Sequence, residues 1–283
     1  MPADLVNLNS DRSPDRNDTG SPEPVVVYDN VSIAFDLKPV LENISFTVQR
    51  GETRIILGPA GTGKSVLMKL ANGLLCPDSG TIRVFGEEIT AMREKDIYKL
   101  RARIGMVFQE SALFDSLSVE DNVAYRLNED RVPEEEIHKR VVEALKFVEL
   151  EQAINKFPSE LSGGMRRRVS IARAIISNPD LILYDSPTGG LDPITSTTII
   201  ELIVKQRDVS HTTALLITHR LQDAFTLARN RFNPQTGRME LIPNGGIDNS
   251  TRFLVLNEGK IVFDGSTEAL VRSTDPWLQE YIS

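Results

Sequence analysis

Hydrophobic residues follow different spacings along the chain, and the change of spacing predicts where strands give way to helices. Apolar and polar residues alternate over residues 31–35 and 44–48, which is the two-residue period of half-buried strands. Unbroken apolar runs at residues 55–57, 181–184 and 214–217 are typical of buried strands. Between residues 133 and 148, apolar residues recur every three or four positions, which predicts a packed helix. A mixed α/β chain is therefore expected.

A glycine-rich segment directly follows the apolar run at residues 55–57 and precedes a helical pattern at residues 66–70. It reads Gly58-Pro59-Ala60-Gly61-Thr62-Gly63-Lys64-Ser65, a phosphate-binding loop pattern in the required order of strand, glycine turn and helix. The glycines let backbone N–H groups point at phosphate oxygens, Lys64 supplies positive charge, and Ser65 offers a hydroxyl to Mg²⁺. This segment predicts a site for the phosphates of a nucleotide.

Further segments stand in the order found in ATP-binding-cassette (ABC) proteins, and the chain resembles that family. Phe35 resembles the aromatic residue that stacks on adenine, and Gln109 resembles the glutamine in the loop that faces the membrane partner. The run Leu161-Ser162-Gly163-Gly164-Met165 resembles the family signature, with Met in place of the usual Gln. His219 resembles the switch histidine, and Gly190-Leu191-Asp192 resembles the loop that crosses the dimer interface.

The resemblance implies a fold and a set of partners. The implied fold is α/β, with a P-loop NTPase (RecA-like) core, an N-terminal antiparallel β subdomain and an inserted α-helical lobe at about residues 109–168. ATP and Mg²⁺ are the implied cofactors, and Ser65, Gln109 and Asp185 are the implied metal-site residues. The resemblance further implies a head-to-tail dimer, in which Ser162, Gly163 and Gly164 meet the ATP held by a second copy and Asp192 lies at the shared interface.

Ser186 departs from the family at the position that most affects hydrolysis. Active members carry a glutamate here, which polarises the attacking water, whereas a serine hydroxyl cannot act as a base near neutral pH. General-base assistance is typically worth about 10²–10⁴-fold. We therefore expect either a slow or regulatory ATPase, or a site organised by His219, an ordered water and Asp192 across the interface. An engineered substitution that traps ATP is a third explanation.

The organisation of the chain follows from composition and from this resemblance. Residues 1–23 are rich in Asp, Asn, Ser and Pro, which predicts a disordered tail before an ABC domain at residues 24–283. Residues 229–252 are interpreted as an insertion, either a tolerated surface loop or a docking surface for a partner subunit. The three arginines at residues 166–168 are expected on a solvated or ion-paired surface, with contact to nucleotide or partner as the alternative.

Longer strings are similar to the ATPases of bacterial Mce-type lipid transporters, including those of the Mla system. These strings are residues 107–125, Met165 in the signature, residues 191–195, and residues 264–266 with 275–281. The similarity implies an integral-membrane permease, an Mce-domain lipid-binding protein and transport of phospholipid or lipid. The alternatives are the ATPase of a small-solute importer and an ATP-gated assembly module with little hydrolysis.

Composition narrows the partners and the compartment. The net charge of −8 argues against non-specific binding of nucleic acid. No apolar run approaches the roughly 18 residues that span a bilayer. Cys76 is the only cysteine, and the first residues lack the features of a secretory signal. The expected location is cytoplasmic, peripheral on the inner face of the cytoplasmic membrane.

Overall fold

The structure is a computed structural model that describes residues 23–283. The predicted tail at residues 1–23 lies outside the described residues, apart from the exposed Glu23. The strands of the described part are β1 (Val26–Phe35), β2 (Lys38–Val48), β3 (Thr53–Leu57), β4 (Ser79–Val84), β5 (Glu87–Glu88), β6 (Ile104–Val107), β7 (Leu181–Asp185), β8 (Thr213–Ile217), β9 (Asn230–Asn233), β10 (Arg238–Leu241), β11 (Thr251–Asn257) and β12 (Lys260–Ser266). The α-helices are α1 (Lys64–Ala71), α2 (Glu94–Arg101), α3 (Val119–Glu129), α4 (Glu134–Phe147), α5 (Gly163–Ile175), α6 (Pro193–Ser210), α7 (Leu221–Arg229), α8 (Thr267–Val271) and α9 (Pro276–Ile282).

Two larger sheets organise these elements. The six-stranded sheet has the order β12-β11-β3-β8-β7-β6, in which every neighbouring pair is parallel except β12 with β11. The four-stranded sheet, β2-β1-β4-β5, is antiparallel throughout. Together with the helices, these sheets confirm the predicted α/β core and antiparallel subdomain.

The central parallel strands are buried on both faces, which explains their unbroken apolar runs. All five residues of β3 and all five of β8 are buried. Successive residues of β3 enter different cores: Ile55 and Leu57 join the cluster of the helical lobe and α6, whereas Ile56 joins that of the antiparallel sheet. The alternating pattern of β2 reflects a strand with only one buried face.

The helical lobe consists of α3, α4 and the first turns of α5, within the predicted range of about 109–168. Ser118 is the N-cap of helix α3, and its hydroxyl accepts a hydrogen bond from the Asp121 backbone N–H at 3.0 Å. Helix α4 has three glutamates in its first turn, where negative charge interacts favourably with the positive end of the helix dipole. Its buried residues include Val141 and Leu145, so the predicted stripe is the packed face.

Residues 229–252, interpreted above as an insertion, contain a short antiparallel hairpin of β9 and β10. The hairpin is fastened to α6 rather than projecting from the surface. Asp208 of α6 accepts a hydrogen bond from the Phe232 N–H at 2.7 Å, and Glu201 accepts one from the Met239 N–H at 2.9 Å. Arg207 is 5% exposed and donates to the carbonyl oxygens at both ends of the α7 to β9 junction, Leu227 and Asn230.

None of the helices in residues 23–283 combines the length and hydropathy needed to cross a membrane.

Candidate functional site

The ends of four adjacent parallel strands bring most of the predicted site residues to one edge of the sheet. The strand order β3-β8-β7-β6 is fixed by the pairs Ile56 with Ile217, Asp185 with Ile217 and Val107 with Tyr184. Because parallel strands end on the same edge, the chain leaves this edge at four neighbouring points. The residues at these points are 58–65 after β3, His219 after β8, Asp185 with Ser186 at the end of β7, and Gln109 after β6.

The phosphate-binding loop, residues 58–65, has a backbone that requires glycine at particular points. Gly58, Gly61 and Gly63 have φ values of 147°, 80° and 90°. A Cβ on Gly63 would lie 2.6 Å from Leu41 Cδ2 and 2.9 Å from the Val40 carbonyl oxygen, so β2 forms a close wall beside the loop. A Cβ on Gly61 would meet nothing within 4 Å, so that part of the loop is open.

The start of α1 is arranged to receive an anion. Its N-cap, Gly63, has no side chain to satisfy the first backbone N–H groups, and the first turn contains no acidic residue. The Lys64 ammonium donates to the carbonyl oxygens of Gly58 and Pro59 at 2.8 and 2.6 Å. Burial lowers the pKa of Lys64, and the nearby Asp185 carboxylate opposes that shift. An anionic ligand at this helix end therefore fits the residues present.

Ser65 and Asp185 form the donor set expected for Mg²⁺ held together with a nucleotide. The Ser65 hydroxyl lies 3.5 Å from Asp185 Oδ1. Burial raises the pKa of Asp185, whereas the Ser65 hydrogen bond and the charges of Lys69 and Lys64 lower it. No group of three or more His, Cys, Asp or Glu residues in the described part could hold a metal by itself. Nucleotide-bound Mg²⁺ is typically held by one or two protein oxygens plus phosphates and waters, and Ser65 and Asp185 supply two such oxygens.

Gln109 lies against the turn that follows Ser186. A Cβ on Gly189 would come within 3.3 Å of Gln109 Cγ and 3.5 Å of its Cδ. The close approach of the two segments depends on the absence of a side chain at position 189. Gln109 is therefore placed beside the residues that follow Asp185.

Ser186 occupies a tight turn at the end of β7. Its backbone is left-handed, with φ 47°, and the residue is 7% exposed. Its N–H donates to the Ile217 carbonyl at 2.9 Å, and its carbonyl accepts from the Gly189 N–H at 2.9 Å. These bonds fix the backbone of the turn independently of the side chain at position 186.

Arg167 connects the segment that contains Gln109 with the turn that follows Ser186. Its burial shows that the expectation of a solvated arginine surface was wrong for this residue. It is 4% exposed, and its guanidinium donates to the carbonyl oxygens of Phe108 at 2.7 Å, Gln109, and Gly189 at 3.3 Å. The side chain is held inward because it donates hydrogen bonds to the loop carbonyl oxygens beside α5. The neighbouring Arg166 and Arg168 are partly buried and donate to other carbonyl oxygens, those of Leu161, Val148 and Glu149.

The signature residues lie on another surface. Ser162 is exposed and is the N-cap of α5, accepting the Met165 N–H at 3.2 Å. A Cβ on Gly163 would lie 3.8 Å from Leu191 Cδ2, and one on Gly164 would lie 2.4 Å from Thr195 Cγ2. The signature thus packs beside the loop before α6 and presents Ser162 and Gly163 outward.

Asp192 is the N-cap of α6. Its carboxylate accepts the backbone N–H groups of Ile194 and Thr195, both at 3.0 Å, and the Thr195 hydroxyl at 2.5 Å. These hydrogen bonds lower the pKa of Asp192. The loop is exposed, and the following Ile194 is 83% exposed. Asp192 therefore shapes an outward-facing loop within its own chain.

Phe35 and His219 are the remaining predicted site residues, and both are exposed. Phe35 is 44% exposed at the end of β1, where it pairs with Lys38 across a turn. Its ring is open to stacking by a ligand. His219 follows β8, and the preceding Thr218 is joined through its N–H to the Ile56 carbonyl at 3.3 Å. That contact ties the histidine turn to the strand that enters the phosphate-binding loop.

A groove opens beside the segment after Gln109, with a volume of about 300 Å³. Its wall includes three arginines and three aromatic residues: Arg101, Arg126, Arg173, Phe108, Phe114 and Tyr125. The rings of Phe114 and Tyr125 are 4.7 Å apart, and each side chain is 43% exposed. The groove therefore joins the sheet edge to the helical lobe by an aromatic and basic surface.

Comparisons with known proteins agree with this arrangement. A family model described as ABC transporter matches residues 41–189. The chain is 36% identical to the methionine import ATP-binding protein MetN 2 of Bacillus cereus over 263 residues, covering 92% of this chain and 73% of that protein. It is also 36% identical to the intermembrane phospholipid transport system ATP-binding protein MlaF of Escherichia coli over 254 residues, covering 89% and 86%.

Solved structures show the same fold. A dimeric, post-hydrolysis state of the ATP-binding cassette MJ0796 bound to ADP and Pi superposes with a TM-score of 0.72 at 28% identity. That match covers 85% of this chain and 98% of the cassette. The cbiO1 protein of Clostridium perfringens, part of the ABC transporter complex cbiONQ, also gives a TM-score of 0.72, at 30% identity and 88% and 92% coverage.

Proposed function

Because the chain belongs to the ABC transporter family and is an ABC-type ATP-binding subunit, we propose that it closes with a second copy on ATP to drive a membrane permease. ATP and Mg²⁺ are the cofactors of this family of ATPases. One observation carries the assignment of the site. Four adjacent strand ends gather the phosphate-binding loop, Gln109, Asp185 with Ser186, and His219 at a single edge.

The residues of this edge, together with Phe35 at the end of β1, would divide the work of ATP binding and phosphoryl transfer. The loop N–H groups and Lys64 bind the phosphates of ATP, while Phe35 stacks on the adenine. Ser65, Asp185 and Gln109 would hold Mg²⁺, which would neutralise charge on the phosphate oxygens. His219 contacts the outer phosphate from the neighbouring strand end. Most of the rate enhancement of such a site comes from positioning and charge. Without a carboxylate at position 186, the remaining groups would therefore still support hydrolysis, but more slowly.

The dimer is proposed from the outward position of two signature residues. Ser162 and Gly163 face away from their own core, and the loop carrying Asp192 and Ile194 is exposed beside them. In a head-to-tail pair, the N-terminus of α5 offers its N–H groups to the γ-phosphate of ATP on the second copy. A fold match to a dimeric cassette bound to ADP and Pi supports this arrangement.

The permease is proposed to dock in the aromatic and basic groove beside Gln109. Arg167 joins the groove's Phe108 to Gln109 and Gly189 through three backbone carbonyls, so a change beside Ser186 is transmitted to the groove wall. A protein docked there would hold the chain at the inner face of the cytoplasmic membrane. Cross-linking from Phe114 or Tyr125 to a co-purified permease tests this; contacts confined to the opposite face of the domain would reject it.

Lipid transport of the Mce or Mla type is the proposed pathway, with an Mce-domain protein as a further partner. The two relatives named above, one for phospholipid transport and one for methionine import, are equally identical to this chain, at 36%, so these two matches favour neither pathway. The proposal is supported by the local strings that are similar to the ATPases of Mce-type lipid transporters. One of these strings, residues 107–125, includes Phe108, Phe114 and Tyr125 of the groove proposed for the permease.

The transport class is tested by the molecules that accompany the complex. The chain is purified with its permease, and bound molecules are identified by mass spectrometry. Phospholipid held in stoichiometric amount supports the lipid pathway. An amino acid or other small solute would instead favour the importer, the candidate that similarity to MetN supports. Mg-ATP turnover no higher than that of a Lys64→Ala variant would identify an ATP-gated assembly module.

A further inference from the structure

The helix α9 reaches the first residue of the phosphate-binding loop. The Tyr281 hydroxyl oxygen accepts the backbone N–H of Gly58 at 2.9 Å. The two residues are 223 positions apart in the chain, so the contact is purely tertiary. From this contact we infer that Tyr281 is a positioning residue for nucleotide binding, holding the start of the phosphate-binding loop. The inference rests on the proposed role of that loop as the ATP site.

Helix α9 is fixed well enough to serve as an anchor. Its N-cap is Asp275, whose carboxylate accepts a hydrogen bond from the Leu278 N–H at 2.9 Å. Leu278 itself is 2% exposed. The rings of Trp277 and Tyr281 stack with centroids 5.2 Å apart and planes 3° apart. Both rings pack against the larger hydrophobic core. The tyrosine hydroxyl is therefore presented to the loop from a packed helix.

Gly58 has little freedom to move once this contact is made. Its φ of 147° lies in a region that other residues avoid, and a Cβ there would lie 2.3 Å from the Leu256 carbonyl oxygen. Strand β11 therefore confines Gly58 from one direction while Tyr281 holds its N–H. Burial raises the pKa of Tyr281, and the hydrogen bond from the Gly58 N–H opposes that shift.

The same glycine is in contact with the lysine of the loop. Lys64 donates to the Gly58 carbonyl oxygen at 2.8 Å, so Gly58 is held by Tyr281 through its N–H and by Lys64 through its C=O. When phosphates draw the ammonium away from this carbonyl, the bond from Gly58 to Tyr281 remains. Tyr281 thereby keeps the loop in place during the exchange of partners by Lys64, which lowers the cost of ordering the loop on binding.

The test removes only the hydroxyl. Tyr281→Phe keeps the ring and its stack on Trp277. Loss of one such hydrogen bond predicts a three- to ten-fold weaker affinity for Mg-ADP and Mg-ATP in calorimetric titration of the full chain, as an order-of-magnitude estimate. The KM for ATP should rise by the same factor while kcat stays unchanged. Hydrogen exchange of a peptide covering residues 55–62 should become faster at one amide.

Tyr28→Phe is the matched control, because the buried Tyr28 hydroxyl donates to the Leu67 carbonyl of α1 at 2.6 Å. This control should lower Tm yet leave nucleotide affinity within about two-fold, since the bond lies outside the loop. Unchanged affinity in Tyr281→Phe, a fall in kcat alone, or an equal loss of affinity in both variants would overturn the inference. Failure of the wild-type chain to bind nucleotide would instead overturn the proposed function on which the inference rests.

Discussion

The phosphate-binding loop at residues 58–65 and the β7 turn at residues 185–192 lie at the ends of strands in one sheet, yet they differ in completeness. The loop has its glycines, Lys64, Ser65 and an uncapped helix N-terminus. The β7 turn has Asp185, which is proposed to hold the metal, and the backbone bonds that hold the turn, but it has a serine at position 186, where the family resemblance implies a carboxylate. With the proposed roles, nucleotide binding and water activation depend on separate sets of side chains, so that water activation can be reduced while nucleotide binding is kept.

Removing the charge of the loop gives the largest expected effect. Lys64→Ala should weaken Mg-ATP binding by about 10²-fold or more, because the charged hydrogen bonds to the phosphates are lost. Binding is measured by calorimetric titration. Lys146→Ala, an exposed lysine in the last turn of α4, is the control and should bind normally. Near-normal affinity in Lys64→Ala would place the nucleotide elsewhere and remove the basis of the comparison.

A change at the signature should leave the phosphate-binding loop and the β7 turn intact and should block only the formation of ATP-driven dimers. Ser162→Arg places a long side chain where the ATP of a second copy is proposed to bind, so ATP-driven dimers should fall by about ten-fold or more on a sizing column. Nucleotide affinity of the monomer should stay within about two-fold, because the loop is untouched. Gly164→Asp is a less clean variant, since a Cβ there already meets Thr195 Cγ2 at 2.4 Å.

The control for Ser162→Arg is Ser266→Arg, which removes a similar N-cap from α8. The Ser266 hydroxyl accepts the Ala269 N–H at 3.2 Å, the same distance as at Ser162. Normal dimers in Ser162→Arg, or equal loss in both variants, would count against the shared site.

Arg167→Met should lower stability while changing nucleotide affinity less than any other variant of this series. The loop carbonyls of Phe108, Gln109 and Gly189 lose their donor, so the free energy of unfolding should fall by about 1–3 kcal/mol in urea denaturation. Affinity for nucleotide should change less than two-fold, because none of these bonds reaches residues 58–65. Arg166→Met, which loses a bond to Leu161 only, is the matched control. A large loss of affinity would show that the regions are coupled.

The sequence predicted the groups of the site better than the contacts that hold them. Residues 58–65 were predicted from their glycine pattern between an apolar strand and a helix, whereas Gln109, Asp185 and His219 were predicted from the resemblance to ABC proteins. The structure brings these residues to one edge of the sheet because parallel strands end on the same edge. The expectation of a solvated surface was wrong for Arg167, because helical spacing does not reveal which loop carbonyls need a donor. The bond between Tyr281 and Gly58 had no local signal, since folding alone brings those residues together.

The strands of the two main sheets were predicted better than the hairpin of β9 and β10. Alternating and continuous apolar runs predicted β2 and β3 because the pattern of burial follows directly from the number of covered faces. The hairpin of β9 and β10 was not predicted from its Pro, Gly and Asn content. Its position depends on Glu201 and Asp208 of α6, which accept its backbone N–H groups. The roles assigned to residues 229–252 and to the individual site residues stay predictions.

Restoring a carboxylate to the β7 turn tests the central claim most directly. Ser186→Glu and the matched Ser186→Gln, which has the same size without a base, are compared with wild type for turnover at saturating Mg-ATP with the permease present. We predict that the glutamate raises turnover by roughly 10- to 10³-fold while the glutamine does not, and that ATP affinity changes little. A wild-type rate that glutamate does not improve would contradict the account, because it would show that another group already activates the water.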